Sequence, residues 1–79
     1  MKESFIISNR ARKVIFAEIA SGETSLERIT KKNHLVASQA ESSLKELIEN
    51  SFVEEKDGKL DLTEEGKRSL RFLKRERLI

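Results

Sequence analysis

Residues 35–66, LVASQAESSLKELIENSFVEEKDGKLDLTEEG, carry the pattern that decides the fold. This segment begins with apolar residues at helical spacing, continues with two short runs on either side of Asp57-Gly58, and ends at the start of another helix. A shorter helical pattern, LERITKK, precedes it at residues 26–32. The sequence therefore predicts a helix, a turn, a second helix and a two-stranded ribbon, in that order.

The helix predicted at about residues 37–50 has one apolar face. Its apolar positions follow the i, i+4, i+7, i+8 spacing of an amphipathic helix and are Ala40, Leu44, Leu47 and Ile48. The opposite side is polar and holds Ser38, Gln39, Ser42, Lys45, Glu46 and Glu49. Two starts are open, because Val36 is a poor N-cap whereas Ser38 and Glu41 have the spacing of a capping box.

The ribbon is predicted at about residues 52–62. Asp57-Gly58 between two short runs is a strong hairpin signal, because a type I′ turn requires positive φ at both of its central residues. Leu60 and Leu62 alternate with polar residues, which indicates that one face of the ribbon is buried. Thr63 is a predicted N-cap for a final helix at about residues 63–78.

Two further helices are predicted before this segment. The first runs from Ser8 or Asn9 to about Ala20, with Ser8 as the N-cap and an apolar face made of Ala11, Val14, Ile15 and Ile19. The second starts at Thr24 or Ser25, where Thr24 and Glu27 have capping-box spacing. Residues 5–7, which are all large and apolar, precede the first helix and require cover from the core or from a partner chain.

With these residues in place, the chain resembles the winged helix-turn-helix superfamily of DNA-binding regulators, in its compact archaeal or MarR-like form. The resemblance covers about residues 10–70, and its most specific part is the spacing from Leu35 through Leu44, Leu47 and Val53 to the Leu62-Thr63-Glu64-Glu65-Gly66 motif. It implies one mainly α-helical domain with a small β-hairpin (α+β) over residues 1–79. A three-helix core, a wing and a C-terminal helix would make up this domain.

The resemblance also implies a function, namely sequence-specific binding of double-stranded DNA by a transcriptional regulator that occludes its operator. A recognition helix presents its N-terminal residues to base edges in the major groove. The expected base-reading residues are Ser38, Gln39, Ser42 and Ser43. The expected phosphate contacts are Lys31, Lys32, Lys45, Lys56 and Lys59. Arg10, Arg12 and Lys13 on the first helix are further candidates, with the alternative that they face away from the DNA. The alternative is a protein–protein interaction module, which the acidic residues Glu41, Glu46 and Glu49 on the same helix suit.

Charge is divided unevenly along the chain. The net charge is +2 overall, yet residues 1–65 carry −3 and residues 66–79 carry +5. The basic end is either a contact for a polyanion or a solvated helix face with cations at a favourable end of the helix dipole. Non-specific packaging of nucleic acid by this helix is therefore another alternative.

A homodimer is predicted from apolar residues at the two ends of the chain. Its expected contacts are Phe5, Ile6, Leu70, Leu73 and Leu78. Two-fold dimers are the commonest oligomers, and such a dimer would place two recognition helices about one DNA turn apart. Packing of the last helix within its own chain is the alternative.

Composition argues against several other classes of protein. The chain has no cysteine and one histidine, His34, so neither a disulfide nor a usual metal site is expected. It has no phosphate-binding glycine loop and no recognisable acid–base pair, so we expect neither an enzyme nor a cofactor. No small-molecule effector site and no membrane segment is predicted either. The expected location is cytoplasmic, on the nucleoid if the protein binds DNA.

Overall fold

The computed structural model describes residues 2–79 and contains five helices and one antiparallel hairpin in that range. The mainly helical fold class with a single small hairpin is confirmed. The elements are α1 (Lys2–Ile7), α2 (Arg10–Ala20), α3 (Leu26–Lys32), α4 (Ala37–Glu49), β1 (Val53–Lys56), β2 (Lys59–Leu62) and α5 (Glu64–Arg75).

One hydrophobic core unites these elements. It draws at least one fully buried residue from each helix and from each strand. Phe16 and Phe52 meet in this core edge to face, with their ring centroids 6.5 Å apart. Such a pair contributes about 0.5–1.5 kcal/mol beyond the burial of its area. Phe16, which lies off the predicted apolar stripe of its helix, is therefore a central core residue.

The chain begins with a helix that the sequence did not predict. Residues 5–7 belong to α1, and Ile6 is fully buried in the chain's own core. Arg12 holds the end of α1 in place, because its Nε donates to the Phe5 carbonyl over 2.8 Å and its guanidinium lies 4.0 Å from the centre of the Phe5 ring. Tertiary contacts therefore stabilise a helix that is too short to be stable by itself.

Two predicted helix caps are wrong. Asn9, rather than Ser8, caps α2 by accepting a hydrogen bond from the backbone N–H of Arg12. Ser25 caps α3 by accepting from the N–H of Arg28, so no capping box forms between Thr24 and Glu27. In both cases, the side chain directly before the helix accepts a hydrogen bond from one of the free N–H groups of the first helical turn.

The hairpin has the predicted turn. Asp57 and Gly58 have φ values of 53° and 77°, and Lys56 pairs with Lys59 directly across the strands. Val53 and Leu62 form a buried pair further along the ladder. The backbone N–H of Leu60 donates to the carbonyl of Thr24 over 3.1 Å, which ties the outer edge of β2 to the segment before α3.

A tight junction joins α4, the hairpin and α5. The Thr63 hydroxyl donates to the Ser51 carbonyl and accepts from the N–H of Gly66. The N–H of Thr63 donates to the Phe52 carbonyl over 3.1 Å, and Gly66 lies against that same carbonyl. The predicted cap at Thr63 is confirmed, and its hydroxyl also fixes the entry of the chain into β1.

Three helices end at a residue other than glycine in the left-handed conformation. These residues are His34, Ser51 and Arg77, with φ values of 53°, 66° and 59°. In each case, the next N–H bonds back to the carbonyl five residues earlier, as in a Schellman motif. The last of these motifs ends α5 at Arg75, three residues before the predicted end.

Candidate nucleic-acid interface

The N-terminal half of α4 presents a polar, exposed surface. Ser38, Gln39 and Ser42 are all exposed, and they line one side of a cleft of about 520 Å³. The start of α2 forms the other side of this cleft. Three of the four residues predicted to read bases therefore lie together on one accessible surface.

The fourth predicted base-reading residue, Ser43, also borders this cleft but is buried. Ser43 is only 4% exposed, because it lies between Ala40 and Leu47 on the buried face of α4. Both of these neighbours are fully buried. Ser43 can therefore not reach a base edge, and its small side chain instead allows close packing of α4 on the core.

The structure also decides where α4 begins. Val36 occupies the N-cap position and makes no capping hydrogen bond, and helical geometry starts at Ala37. The predicted capping box from Ser38 to Glu41 does not form, so Ser38 lies inside the first turn with its side chain exposed. Val36 is 58% exposed, and Ile48 is the other large apolar residue with an exposed side chain in the described part of the chain.

The predicted phosphate contacts are all exposed, but they differ in their ion pairs. Lys56 and Lys59 flank the hairpin turn, Lys45 lies on α4, and none of the three has an ion pair within residues 2–79. Lys31 pairs with Glu27 over 3.2 Å at two exposed positions, an arrangement that contributes little. Lys32 pairs with Glu18, also over 3.2 Å.

Glu18 joins the ends of α2 and α3. Its carboxylate accepts from the Asn33 amide over 2.9 Å and from the Lys32 ammonium over 3.2 Å. The hydrogen bond from Asn33, and then that from Lys32, hold the pKa of Glu18 below its ordinary value of 4.5. Lys32 is therefore occupied in holding the end of α3 against α2, and it is the least available of the five lysines.

Arg10, a further candidate for phosphate contact, is a cation of this surface and does not face away from it. It is exposed at the start of α2 and lines the same cleft as Ser38 and Gln39. No sequence pattern placed it there, because the approach of α2 to α4 is a tertiary contact. Arg12 also lines the cleft, but its guanidinium is bound to Glu46 over 3.1 Å and to the Ser8 hydroxyl over 2.9 Å.

The hairpin is more acidic than a simple DNA-binding wing would require. Its strands and turn contain four carboxylates and two lysines, and Glu54 lies directly opposite Asp61. Like charges at directly opposed positions destabilise a ribbon. The two lysines of the hairpin, Lys56 and Lys59, flank its turn.

Two of the predicted dimer contacts cannot reach a partner. Ile6 and Leu73 are both fully buried in the core of their own chain. Phe5, Leu70 and Leu78 pack on the edge of this core and are partly exposed. The alternative of packing within the chain is therefore correct for Ile6 and Leu73.

Within residues 2–79, no group of histidine, cysteine, aspartate or glutamate side chains could hold a metal ion. Over the same residues, no helix has the length and apolar character needed to cross a membrane. The chemistry of this surface is thus that of exposed hydroxyl, amide and cationic groups on a rigid helical frame.

A short turn joins α3 to α4, and the hairpin of β1 and β2 follows α4. This order of elements, with a polar exposed second helix, defines a winged helix-turn-helix domain. The sequence family described as winged helix-turn-helix matches residues 9–78, which is most of the chain, and the chain belongs to that family. Family membership supports a DNA-binding regulator in general terms, whereas the archaeal or MarR-like subtype stays a prediction. No curated protein and no solved structure shows a significant match.

Proposed function

We propose that the protein binds double-stranded DNA sequence-specifically and regulates transcription by occluding an operator on the nucleoid. The observation that carries this proposal is the exposed N-terminal half of α4, where Ser38, Gln39 and Ser42 share one cleft with Arg10. In helix-turn-helix proteins this part of the recognition helix meets base edges in the major groove.

The side chains of this surface favour particular bases. Gln39 can form a bidentate pair with adenine, and a good pair of this kind contributes about 1–3 kcal/mol of discrimination. The exposed Val36 side chain is suited to apolar contact with the methyl group of thymine. Ser38 and Ser42 can donate or accept at any base. We therefore expect A·T pairs at the centre of each half-site.

Phosphate contacts would flank this readout. Arg10 and Lys45 lie beside the base-reading residues, and Lys56 and Lys59 extend the contact to the hairpin turn. Lys31 completes the set, because its exposed pair with Glu27 is weak enough to exchange for a phosphate. Neutralising several phosphates makes the affinity fall steeply with salt. Each phosphate contact adds about −0.9 to the slope of log association constant against log salt concentration.

We further propose that the operator is palindromic and is bound by a homodimer. The partly exposed residues Leu78, Ile79 and Val14 line one groove and supply an apolar edge for a second copy. Lys13, Arg77 and Arg10 lie beside them, and Arg10 also lines the cleft at α4. Sedimentation equilibrium tests this proposal, with the dimer mass expected for the parent chain and the monomer mass for Leu78→Ser. A monomer mass for both at micromolar concentration would rule the dimer out.

Selection of sites from a randomised duplex pool tests the DNA readout. We expect a defined A·T-containing site, bound at least tenfold more tightly than mixed-sequence duplex. The double variant Gln39→Ala/Ser42→Ala should lose this preference, whereas Glu49→Ala, at the far end of the same helix, should keep it. If the parent protein binds no duplex even at about 50 mM salt, the domain serves as a protein-interaction module instead.

Replacing thymine with deoxyuridine in the selected site tests Val36 separately, because this change removes only the methyl group. Parent protein should bind the deoxyuridine site more weakly than the thymine site. Val36→Ser should bind the two sites equally well. A parent protein that does not distinguish them would remove Val36 from the proposed readout and leave Gln39 unaffected.

A further inference from the structure

The outer face of α5 is a row of cations. Between Glu65 and Glu76 this helix contains no acidic residue, and five exposed basic residues form what we name the α5 ridge: Lys67, Arg68, Arg71, Lys74 and Arg75. Their spacing of three, four and seven residues places them along one side of the helix over roughly 12 Å.

The α5 ridge is largely without partners within the described residues 2–79. Lys67 pairs with Glu64 over 3.6 Å and Arg75 with Glu76 over 3.7 Å, and in both pairs at least half of each side chain is exposed. Arg68, Arg71 and Lys74 make no ion pair there. Like charges three and four residues apart destabilise a helix. The helix dipole favours cations in the last turn, where Lys74 and Arg75 lie, but it does not account for Arg68 and Arg71.

The α5 ridge is separate from the surface that α4 presents. The main packing partners of α5 are α1 and β2, whereas those of α4 are α2, α3 and β1. No residue of α5 lines the cleft that holds Ser38, Gln39 and Ser42. The α5 ridge is therefore a different set of side chains from the proposed base-reading surface.

The chemistry of the α5 ridge favours a phosphate backbone. Duplex DNA carries one negative charge for every 1.7 Å or so of its axis, a density that rewards a continuous row of cations. A membrane surface would require a sizeable apolar face beside the cations, but Leu73 is buried and Leu70 and Phe72 are half-buried against the core. Arginine and lysine side chains both bind phosphate oxygens, and contacts of this kind carry no sequence information.

We propose that the α5 ridge is a second DNA-binding surface, which holds a duplex segment other than the one in contact with α4. Each copy of the protein then joins two duplex segments, one bound by sequence and one by its backbone alone. The inference shares its ligand class with the proposed function, but it depends on different residues and can fail separately.

A capture assay tests this inference. A duplex that carries the selected site is immobilised and loaded with protein, and the amount of free mixed-sequence duplex retained per bound protein is measured. The ridge variant Arg68→Gln/Arg71→Gln/Lys74→Gln should load normally and retain at least tenfold less free duplex than the parent. Glutamine keeps the length and helix propensity of these positions, so the fold should survive, as a circular dichroism melt would check.

A variant of equal net charge serves as the matched control. Lys31→Gln/Lys56→Gln/Lys59→Gln removes three cations from the proposed α4 interface instead. It should load less protein on the immobilised site but retain as much free duplex per bound protein as the parent. The ridge variant should also lower the logarithmic salt slope of mixed-sequence binding by about 0.9 for each phosphate contact that is lost.

Three results would overturn the inference. The first is retention of free duplex by the ridge variant at the parent level, which would assign any joining of duplexes to a dimer of α4 surfaces. The second is a parent protein that retains no free duplex at about 50 mM salt. The third concerns vesicles in which one-third of the lipid is anionic phosphatidylglycerol. The inference fails if the ridge variant loses binding to these vesicles but retains free duplex like the parent. If the parent protein shows no sequence preference in site selection but still retains free duplex through the α5 ridge, the proposed function fails and this inference stands.

Discussion

Gly66 and the carbonyl of Phe52 touch so closely that no side chain fits between them. A Cβ atom on Gly66 would lie 2.1 Å from the Phe52 oxygen and 3.1 Å from its carbonyl carbon. This carbonyl also accepts the N–H of Thr63, so it cannot move without breaking the junction. The glycine at the end of the Leu62-Thr63-Glu64-Glu65-Gly66 motif is therefore a requirement of packing between a helix and the chain that enters β1.

We expect Gly66→Ala to lower the free energy of unfolding by about 3 kcal/mol, the upper end of the usual cost of overpacking. In a domain of this size that corresponds to a fall in Tm of more than about 10 °C. Urea unfolding followed by circular dichroism measures the change. Arg68→Ala, two residues further along the same helix and exposed, should have little effect, and equal losses for both variants would show that the contact is not responsible.

The left-handed conformation of Ser51 predicts that glycine at this position raises the free energy of unfolding. A residue with a Cβ atom at φ 66° is strained by about 1 kcal/mol, whereas glycine is not. Part of this gain is offset by the greater freedom of glycine in the unfolded chain, so Ser51→Gly should stabilise the fold by about 0.5 kcal/mol. Glu49→Gly, two residues earlier and inside α4, should destabilise it by about 1 kcal/mol. The prediction fails if the two changes have the same sign in urea unfolding.

Val36 leaves the first turn of α4 without a side-chain cap. Its backbone already has the extended conformation of an N-cap, with φ −72° and ψ 127°. Val36→Ser should therefore raise the free energy of unfolding by about 1 kcal/mol, the usual difference made by a capping hydroxyl. Ala37→Ser, one position into the helix, provides the control and should give no gain. A cap that stabilises the fold but removes thymine discrimination would indicate that Val36 serves binding at the expense of stability.

Glu18 predicts how stability changes with pH. Since its folded pKa is lowered, mainly by the Asn33 amide, its stabilising contribution is present above the ordinary pKa of 4.5 and is lost as the pH falls through the folded value. The stability difference between the parent and Glu18→Gln should hence be largest near neutral pH and shrink below about pH 4.5. Unfolding by urea between pH 3 and pH 7 measures it. Glu49→Gln, which alters an exposed carboxylate without an ion pair within residues 2–79, should show no comparable trend.

Local rules predicted those parts of the fold that local interactions determine. The Asp57-Gly58 turn needs positive φ at two adjacent residues, and the Thr63 cap needs a hydroxyl before a helix, so short sequence motifs suffice. α1 escaped prediction because six residues hold too little periodicity, and its order depends on burial of Ile6 and on hydrogen bonds from Arg12.

The candidate interface was predicted less completely, for a geometric reason. Polarity alone put Ser43 among the expected base-reading residues, but the buried line of α4 runs through residues 40, 43 and 47. This line leaves Ile48 40% exposed and makes a serine part of the core. The orientation of Arg10 stayed open in the sequence, because only the packing of α2 against α4 brings it to the cleft, and no spacing along the chain encodes that approach.

The junction of Ser51, Thr63 and Gly66 also bears on the order in which the chain folds. The hydroxyl bond that closes it joins residues only twelve apart, so forming it sacrifices little chain entropy compared with docking α1 on α5. Short-range closure of this kind is a candidate nucleus on which more distant segments assemble. Thr63→Ala should therefore slow refolding in stopped-flow experiments, whereas Ser69→Ala, which removes a bond from α5 to Glu3, should mainly accelerate unfolding. We therefore expect the wing to organise the folding of the rest of the molecule, in addition to forming one edge of the proposed binding surface.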